Sequence, residues 1–184
     1  MSGKTMVIAV NAVSGGGKTT ITRELAGKLQ NSRAIYFDDY KDIDKNIPDI
    51  NSWVENGADY DLLDLQVIAD DISKLLKESP DYIILDYPFG YKHKQIAGFI
   101  DLSVYIDTPF DIALARRILR DYSPQGRTDA ILKELNAYLH ERSAYQYAQN
   151  IVRTAGDLTV DGSLTSDEIA DIIAEKAEEM RGNE

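Results

Sequence analysis

Cysteine is missing from all 184 residues. That excludes disulfides, thiolate metal sites and a cysteine nucleophile, and it fits a reducing compartment. Histidine is nearly missing. Neither His93 nor His140 has a partner at metal-ligand spacing, so both read as ordinary surface or core residues. Cations are outnumbered: 20 Lys and Arg against 31 Asp and Glu give a formal net charge of −11. Such a chain repels phosphate backbones, which argues against a nucleic-acid partner. No apolar run approaches the ~20 residues of a membrane-spanning helix. The run Met6-Val7-Ile8-Ala9-Val10 is too short for the core of a secretory leader. The expectation is a soluble, cytoplasmic protein with no membrane partner. Internal repeats and low-complexity linkers are lacking as well, and this length suits one domain, residues 1–184.

What the chain does contain is organised around Ala12-Val13-Ser14-Gly15-Gly16-Gly17-Lys18-Thr19-Thr20. An apolar strand-like run precedes it. A helical pattern follows, with Ile21, Leu25 and Leu29 every four residues. Strand, glycine loop and helix together make a phosphate-binding P-loop. Gly15 to Gly17 turn successive backbone N–H groups around an anion, and the helix beginning near Lys18 adds its positive end. Lys18 reaches the β- and γ-phosphates, and the Thr19 hydroxyl sits on Mg²⁺, so Ser14, Gly15, Gly16, Gly17, Lys18, Thr19 and Thr20 form the expected ATP-binding set. Ala12 stands where a first glycine is usual.

A second strand over 33–37 ends in Asp38-Asp39-Tyr40, an acid pair at the carboxyl end of a strand, where ligands of open parallel sheets collect. Residues 38–72 then carry eleven acids (Asp38, Asp39, Asp42, Asp44, Asp49, Glu55, Asp59, Asp61, Asp64, Asp70, Asp71) against Lys41 and Lys45, with no Arg. Within this segment Trp53, Tyr60 and Leu62 read as core, and Asp70 and Asp71 as a solvated helix face. A third strand, Asp81–Asp86, ends in an acid placed like one that approaches Mg²⁺. Thr19, Asp86 and Asp38 are therefore the candidate metal ligands. A fourth strand over 101–107 leads through Thr108-Pro109 into a helix whose apolar side is Ile112, Leu114, Ala115, Ile118 and Leu119. That helix runs into Arg120-Asp121-Tyr122-Ser123-Pro124-Gln125-Gly126-Arg127. Arginines flanking a Pro/Gly loop suit a lid over 120–128 that closes on a polyphosphate. A long helix over 129–150 carries Leu132, Leu135, Leu139 and several tyrosines. Asp157–Gly162 forms a short fifth strand with a turn, and Thr165-Ser166-Asp167-Glu168 is a capping box for a last helix with Ile169, Ile172, Ile173, Ala177 and Met180 inward.

Five strands alternating with helices define an α/β protein, a three-layer α/β/α sandwich of the P-loop NTPase type around a mostly parallel five-stranded sheet. A guanine-reading Asn-Lys-x-Asp segment and a Leu-Ser-Gly-Gly-Gln-like signature are both absent, which sets aside GTPases and transporter ATPases. Three readings remain: a small-molecule kinase acting on a hydroxyl, a nucleoside monophosphate kinase, and a non-catalytic ATP-binding regulatory protein. The first fits best. Its partner is a small-molecule acceptor, and homo-oligomerisation is left open.

The chain resembles the uridine kinase and phosphoribulokinase-like group of P-loop kinases. The resemblance rests on Val13 to Thr20, on Asp38-Asp39-Tyr40, on Arg116-Arg117-Ile118-Leu119-Arg120-Asp121 through Gly126-Arg127, and on Asp157 onward. It implies strand order 2-3-1-4-5, ATP and Mg²⁺. It makes Asp38 the base for the acceptor hydroxyl, with the acceptor held by 38–78, and Arg120 and Arg127 the phosphate-contacting lid arginines beside Lys18. The residues alone do not separate Asp38 from Asp39. Three departures stand out. Gln125 replaces a lid Arg, Asp86 replaces a Glu, and Asn46-Ile47-Pro48-Asp49 is a poor match to the family's acceptor segment. Uridine itself is therefore not indicated. The acidic 38–72 segment favours an uncharged or cationic acceptor over a phosphorylated one.

Overall fold

The run Met6–Asn11 forms β1, and all six residues are buried. In the computed structural model, which describes residues 4–41, 43, 46, 49–122 and 128–182, β1 is the central strand of a parallel sheet. The others are β2 (Ser32–Tyr36), β3 (Tyr82–Asp86), β4 (Leu102–Asp107) and β5 (Leu158–Asp161). Their order, β2-β3-β1-β4-β5, is the one the resemblance implies. Val10 lies opposite both Asp86 of β3 and Val104 of β4, and Tyr36 of β2 lies opposite Asp86. The carboxyl ends of β1, β2 and β3 are therefore level, and the acids that end two of them open on one side of the sheet.

The unbroken apolar character of β1 and β3 follows from cover on both faces. Met6, Ile8 and Val10 pack with Ile21 and Leu25 of α1 (Lys18–Lys28) and with Ile169 and Ile173 of α7 (Ser166–Gly182). Val7 and Ala9 alternate to the other face. They join Ile68 and Ile72 of α3 (Gln66–Glu78) and Ile96 of α4 (Lys94–Ala97). Burying a side chain of this size is worth roughly 1.5–3 kcal/mol, so the two faces hold the sheet far more than its thin edges do. The expected capping box forms: Thr165 N–H donates to Glu168 Oε2 at 3.0 Å, and Glu168 N–H donates to Thr165 Oγ1 at 3.3 Å.

A third cluster lies beside the site. Trp53 of α2 (Ile50–Glu55), Tyr60 and Tyr105 pack against Ala148 and Val152 of α6 (Thr128–Ala155). Trp53 and Tyr60 meet edge-on at 4.8 Å, and the Tyr60 hydroxyl donates to the Ala148 carbonyl at 2.9 Å. Both are core, as expected. Asp71, expected on a solvated face, is half-buried, because it accepts from the Tyr40 hydroxyl at 2.9 Å and pairs with Lys74 at 2.7 Å.

Several apolar positions depart from their expected burial. In α6, Leu132 and Leu139 are 60% and 73% exposed, and Leu135 is also exposed. Ala144, Ala148 and Val152 are the buried residues of that helix instead. They are small and four apart, which lets the second half of α6 approach the sheet closely. In α5 (Phe110–Asp121) Leu119 and Ala115 are exposed, and the buried residue is Ala113. Leu62 and Ile172 are exposed as well. A helical apolar period marks a preferred face, but how much of that face is covered depends on what packs there.

Candidate active site

The loop after β1 has the geometry its glycines permit. Gly15 has φ +80°, and a Cβ there would lie 2.2 Å from the Ala113 carbonyl oxygen, so α5 packs directly on the loop. A Cβ on Gly16 would lie 2.7 Å from the Ala12 methyl. Alanine in place of the usual first glycine is accommodated because Gly16 leaves that space empty. The Thr108 hydroxyl, at the end of β4, donates to the Gly16 carbonyl at 2.9 Å and fixes the loop from the far side. Lys18 Nζ donates to the Ala12 carbonyl at 3.1 Å. Burial lowers the Lys18 pKa, the charges of Asp86 and Asp38 oppose that, and Arg120 adds to it. A cation depressed in this way is stabilised by arriving negative charge.

Lys18, Asp38 and Arg120 line one cleft of about 760 Å³, and Asp86 lies close enough for its charge to act on Lys18. The Thr19 hydroxyl donates to Asp86 Oδ2 at 2.6 Å. Asp86 is only 3% exposed, and desolvation pushes its pKa up, against the Thr19 hydrogen bond and the Lys18 charge. The shorter Asp86 side chain still meets Thr19. A desolvated carboxylate beside a hydroxyl fits Mg²⁺, a hard cation that takes one or two protein oxygens and completes its shell with phosphates and water. The described residues hold no group of three or more His, Cys, Asp and Glu that would bind a metal unaided, and such a site does not need one.

The two acids of the pair are parted by their local structure. Phe37–Asp39 is a 3₁₀ turn, in which successive side chains diverge by about 120°. Asp38 lines the cleft with Lys18 and Thr19, whereas Asp39 lines a separate recess with Tyr40, Asp71 and Lys74.

Two arginines of α5, Arg116 and Arg120, line the cleft. Arg120 is held by both oxygens of Asp121, at 2.6 and 2.9 Å. Arg117 turns away to Glu134 of α6, which also accepts from the Tyr122 hydroxyl at 2.9 Å. The expected lid residues Gln125 and Arg127 lie outside the described residues.

Four contributors were not singled out in the sequence. Arg23 reaches the cleft from α1, with its guanidinium 5.7 Å from the Tyr36 ring centre. It lies four residues after Thr19, one helical turn on, a spacing that could have flagged it. Tyr145 and Gln149 reach in from α6, and the Tyr145 hydroxyl accepts the Ser14 N–H at 2.8 Å. Asn11, fully buried at the end of β1, accepts the Gly90 N–H at 2.7 Å and holds the loop after β3 beside the cleft. Across the P-loop, a recess of about 290 Å³ is lined by Gly16, Thr20, Arg116, Gly162, Leu164 and Thr165. His93 is structural: it is buried, Nε2 bonds the Leu63 carbonyl at 3.0 Å, and Nδ1 accepts the Gln95 N–H.

A P-loop facing acids from two neighbouring strand ends and arginines from a third element defines a P-loop kinase. The chain belongs to the phosphoribulokinase / uridine kinase family, whose model matches residues 68–160. It is 27% identical to a uridine kinase of Brevibacillus brevis over 95% of this chain and 96% of that one. It is 26% identical to a uridine kinase of Leuconostoc citreum, covering 84% and 90% of the two chains. Among solved structures, the shikimate kinase of Aquifex aeolicus shares the fold, with a TM-score of 0.52 at 18% identity over 94% of this chain and 96% of that one. The protein is accordingly a nucleotide-dependent phosphotransferase that acts on a hydroxyl of a small molecule. No helix among the described residues is long and apolar enough to cross a membrane.

Proposed function

We propose that the protein transfers the γ-phosphoryl group of ATP to a hydroxyl of a nucleoside or a similar uncharged or cationic metabolite. The observation that carries this reading is the placement of Asp38 in the same cleft as Lys18 and the Thr19–Asp86 pair. A carboxylate facing the phosphate site from β2 is where an acceptor hydroxyl must lose its proton. The uridine kinases to which the chain is similar support a nucleoside acceptor.

The roles follow from position. Backbone N–H groups of Gly15, Gly17 and the start of α1 bind the phosphates, and Lys18 draws charge from the β- and γ-oxygens. Thr19 and Asp86 would hold Mg²⁺, with Asp38 the further candidate ligand. Bound there, the ion would supply positive charge that neutralises the phosphates. Asp38 accepts the acceptor's proton as the new O–P bond forms and the bond to ADP breaks. Arg120, with Arg127 from the lid, screens the charge of the transferring group. The recess bounded by Gly162 and Thr165 takes the adenosine end of ATP. The region 38–78 frames the acceptor.

A coupled ADP-release assay over a panel of nucleosides and neutral or cationic hydroxyl metabolites tests the reading. Turnover with at least one nucleoside is expected. Asp38→Asn should lower it by roughly 10²–10⁴-fold with ATP affinity near the parent's, whereas Asp39→Asn should retain it. Acceptor-independent ATP hydrolysis alone would overturn the reading, and loss of turnover in Asp39→Asn but not Asp38→Asn would overturn the assignment of the base.

A further inference from the structure

Two backbone N–H groups of the P-loop have protein partners. Gly16 N–H donates to the Val13 carbonyl at 2.9 Å, inside the loop. Ser14 N–H donates at 2.8 Å to the hydroxyl of Tyr145 in α6, 131 residues away. An amide of a phosphate-binding loop is thus aimed at a side-chain oxygen. A hydroxyl that accepts one hydrogen bond still has a proton to give. No described residue takes that proton. The neighbouring Tyr138 hydroxyl, whose ring centre lies 6.3 Å from that of Tyr145, has no hydrogen-bond partner either. The space beside Tyr145 is the cleft that it lines with Ser14, Lys18, Asp38 and Arg120.

The loop indicates which phosphate this donor would meet. The start of α1 holds the phosphate nearest the helix. Ser14 lies toward the other end of the loop, next to Ala12 and Val13, whose carbonyls take the Lys18 ammonium at 3.1 and 3.4 Å. Lys18 is the group that reaches the β- and γ-phosphates, so a hydroxyl beside Ser14 stands toward the γ end. Its ring is fixed edge-on against Phe110 of α5 at 6.0 Å as well as against Tyr138. Burial raises the phenol pKa, Tyr138 and Glu134 of α6 add to this, and the Ser14 N–H and Arg117 of α5 oppose it. The hydroxyl therefore keeps its proton at neutral pH. Accepting the Ser14 N–H also polarises it and makes it a better donor.

Resting on the reading of ATP as the phosphate donor, we propose that Tyr145 is a further catalytic residue: its hydroxyl, oriented by the Ser14 N–H, donates a hydrogen bond to a non-bridging oxygen of the γ-phosphoryl group and tightens on it during transfer. A bond of this kind to an anion is stronger than its neutral counterpart. It meets charge where charge is spread in the transition state, beside Lys18 and Arg120. No proton changes hands at Tyr145.

The test uses Tyr145→Phe, which removes the hydroxyl and keeps the ring contacts. A second enzyme carries 3,5-difluorotyrosine at 145, whose more acidic phenol ionises within the working pH range. Calorimetry gives the affinities for Mg–ADP and for the magnesium complex of the imido analogue of ATP, which retains a γ-phosphate. Turnover is followed with uridine as the acceptor probe, and thermal midpoint by melting. Tyr145→Phe should weaken the imido analogue and lower kcat, each by about tenfold or more. Mg–ADP affinity, uridine KM and thermal midpoint should stay near the parent's. In the difluoro enzyme the phenolate still accepts the Ser14 N–H but has no proton to give. Its kcat should fall as pH rises through the phenol pKa, a fall the parent lacks. Equal weakening of ADP and the imido analogue, or a difluoro enzyme with the parent's pH profile, would reduce Tyr145 to a brace for the loop and overturn the inference. So would a loss confined to uridine KM, which would put the hydroxyl on the acceptor. Absence of turnover with every nucleoside of the panel would overturn the kinase reading and leave the comparison of ADP with the imido analogue to decide the role of Tyr145.

Discussion

Lys18 and Asp86 are held in the free protein in states that ligands would relieve. Burial lowers the pKa of one and raises that of the other. Lys18 carries no packing role, since its ammonium bonds only backbone carbonyls of the loop. Lys18→Ala should therefore abolish phosphate transfer and weaken ATP binding by at least about tenfold, equivalent to ~1.4 kcal/mol, with the fold intact. Titration calorimetry with ATP checks the first point and circular dichroism the second. For Asp86 the sign of the pH effect follows from the raised pKa. The folded protein holds this proton more tightly than the unfolded chain does. The associated stability is present below the ordinary carboxylate pKa and is lost as pH rises through the folded value. Asp86→Asn should remove that pH-dependent loss in metal-free melts, while raising the Mg²⁺ concentration needed for half-maximal turnover by roughly tenfold or more. A variant with the parent's Mg²⁺ requirement would take Asp86 out of the metal site.

At the scale of elements, α5 has two jobs along one stripe of its surface. Ala113 sits on Gly15 and Arg117 joins Glu134, so these residues tie the P-loop to α6. Arg116 and Arg120, one turn apart, line the cleft beside them. The two jobs should separate in experiment. Arg120 is exposed and its partner Asp121 is a sequence neighbour, so the pair contributes little to stability. Arg120→Ala should lower kcat by about tenfold or more with little change in thermal midpoint. Arg117→Met should lower the midpoint, because it leaves the half-buried Glu134 carboxylate with the Tyr122 hydroxyl as its remaining partner. Equal effects of the two substitutions on both readouts would remove the distinction between the two jobs. The sequence placed all four arginines at the end of this helix and the loop after it, but helical spacing alone could not say which pointed where.

For the molecule as a whole, charge is the main argument about acceptors. The chain carries −11, and the eleven acids of 38–72 face only two lysines. Arg23 lines the cleft, and it stands against the Tyr36 ring of β2 and within the field of Asp86. A monophosphate brings about −1.5 to −2 charges and wants a bidentate arginine clamp. Nucleosides should therefore exceed their monophosphates in kcat/KM with ATP saturating. A monophosphate preferred by tenfold would reverse the assignment and make Arg23 the first residue to test as its clamp.

The order of strands and helices was legible in the sequence because it rests on local signals. Apolar runs at β1 and β3, the capping box at Thr165 and the loop from Ser14 to Lys18 each act within a few residues, and the P-loop also names its ligand class. Alternation of strands and helices then limits how such a sheet can be wound. The exposure of Leu132, Leu139 and Leu119 was not legible, because a helical period does not reveal whether anything covers the face. The rest of the site was decided by tertiary structure. The Thr19–Asp86 hydrogen bond joins residues 67 apart, and the Ser14–Tyr145 bond joins residues 131 apart. The turn of Asp38 toward the cleft and Asp39 away depends on a 3₁₀ turn that carries no sequence motif. Arg23 and Gln149 become site residues only because α1 and α6 meet at the same cleft. No local pattern encodes contacts of this kind, since they exist only once the sheet has brought distant strand ends and helices together.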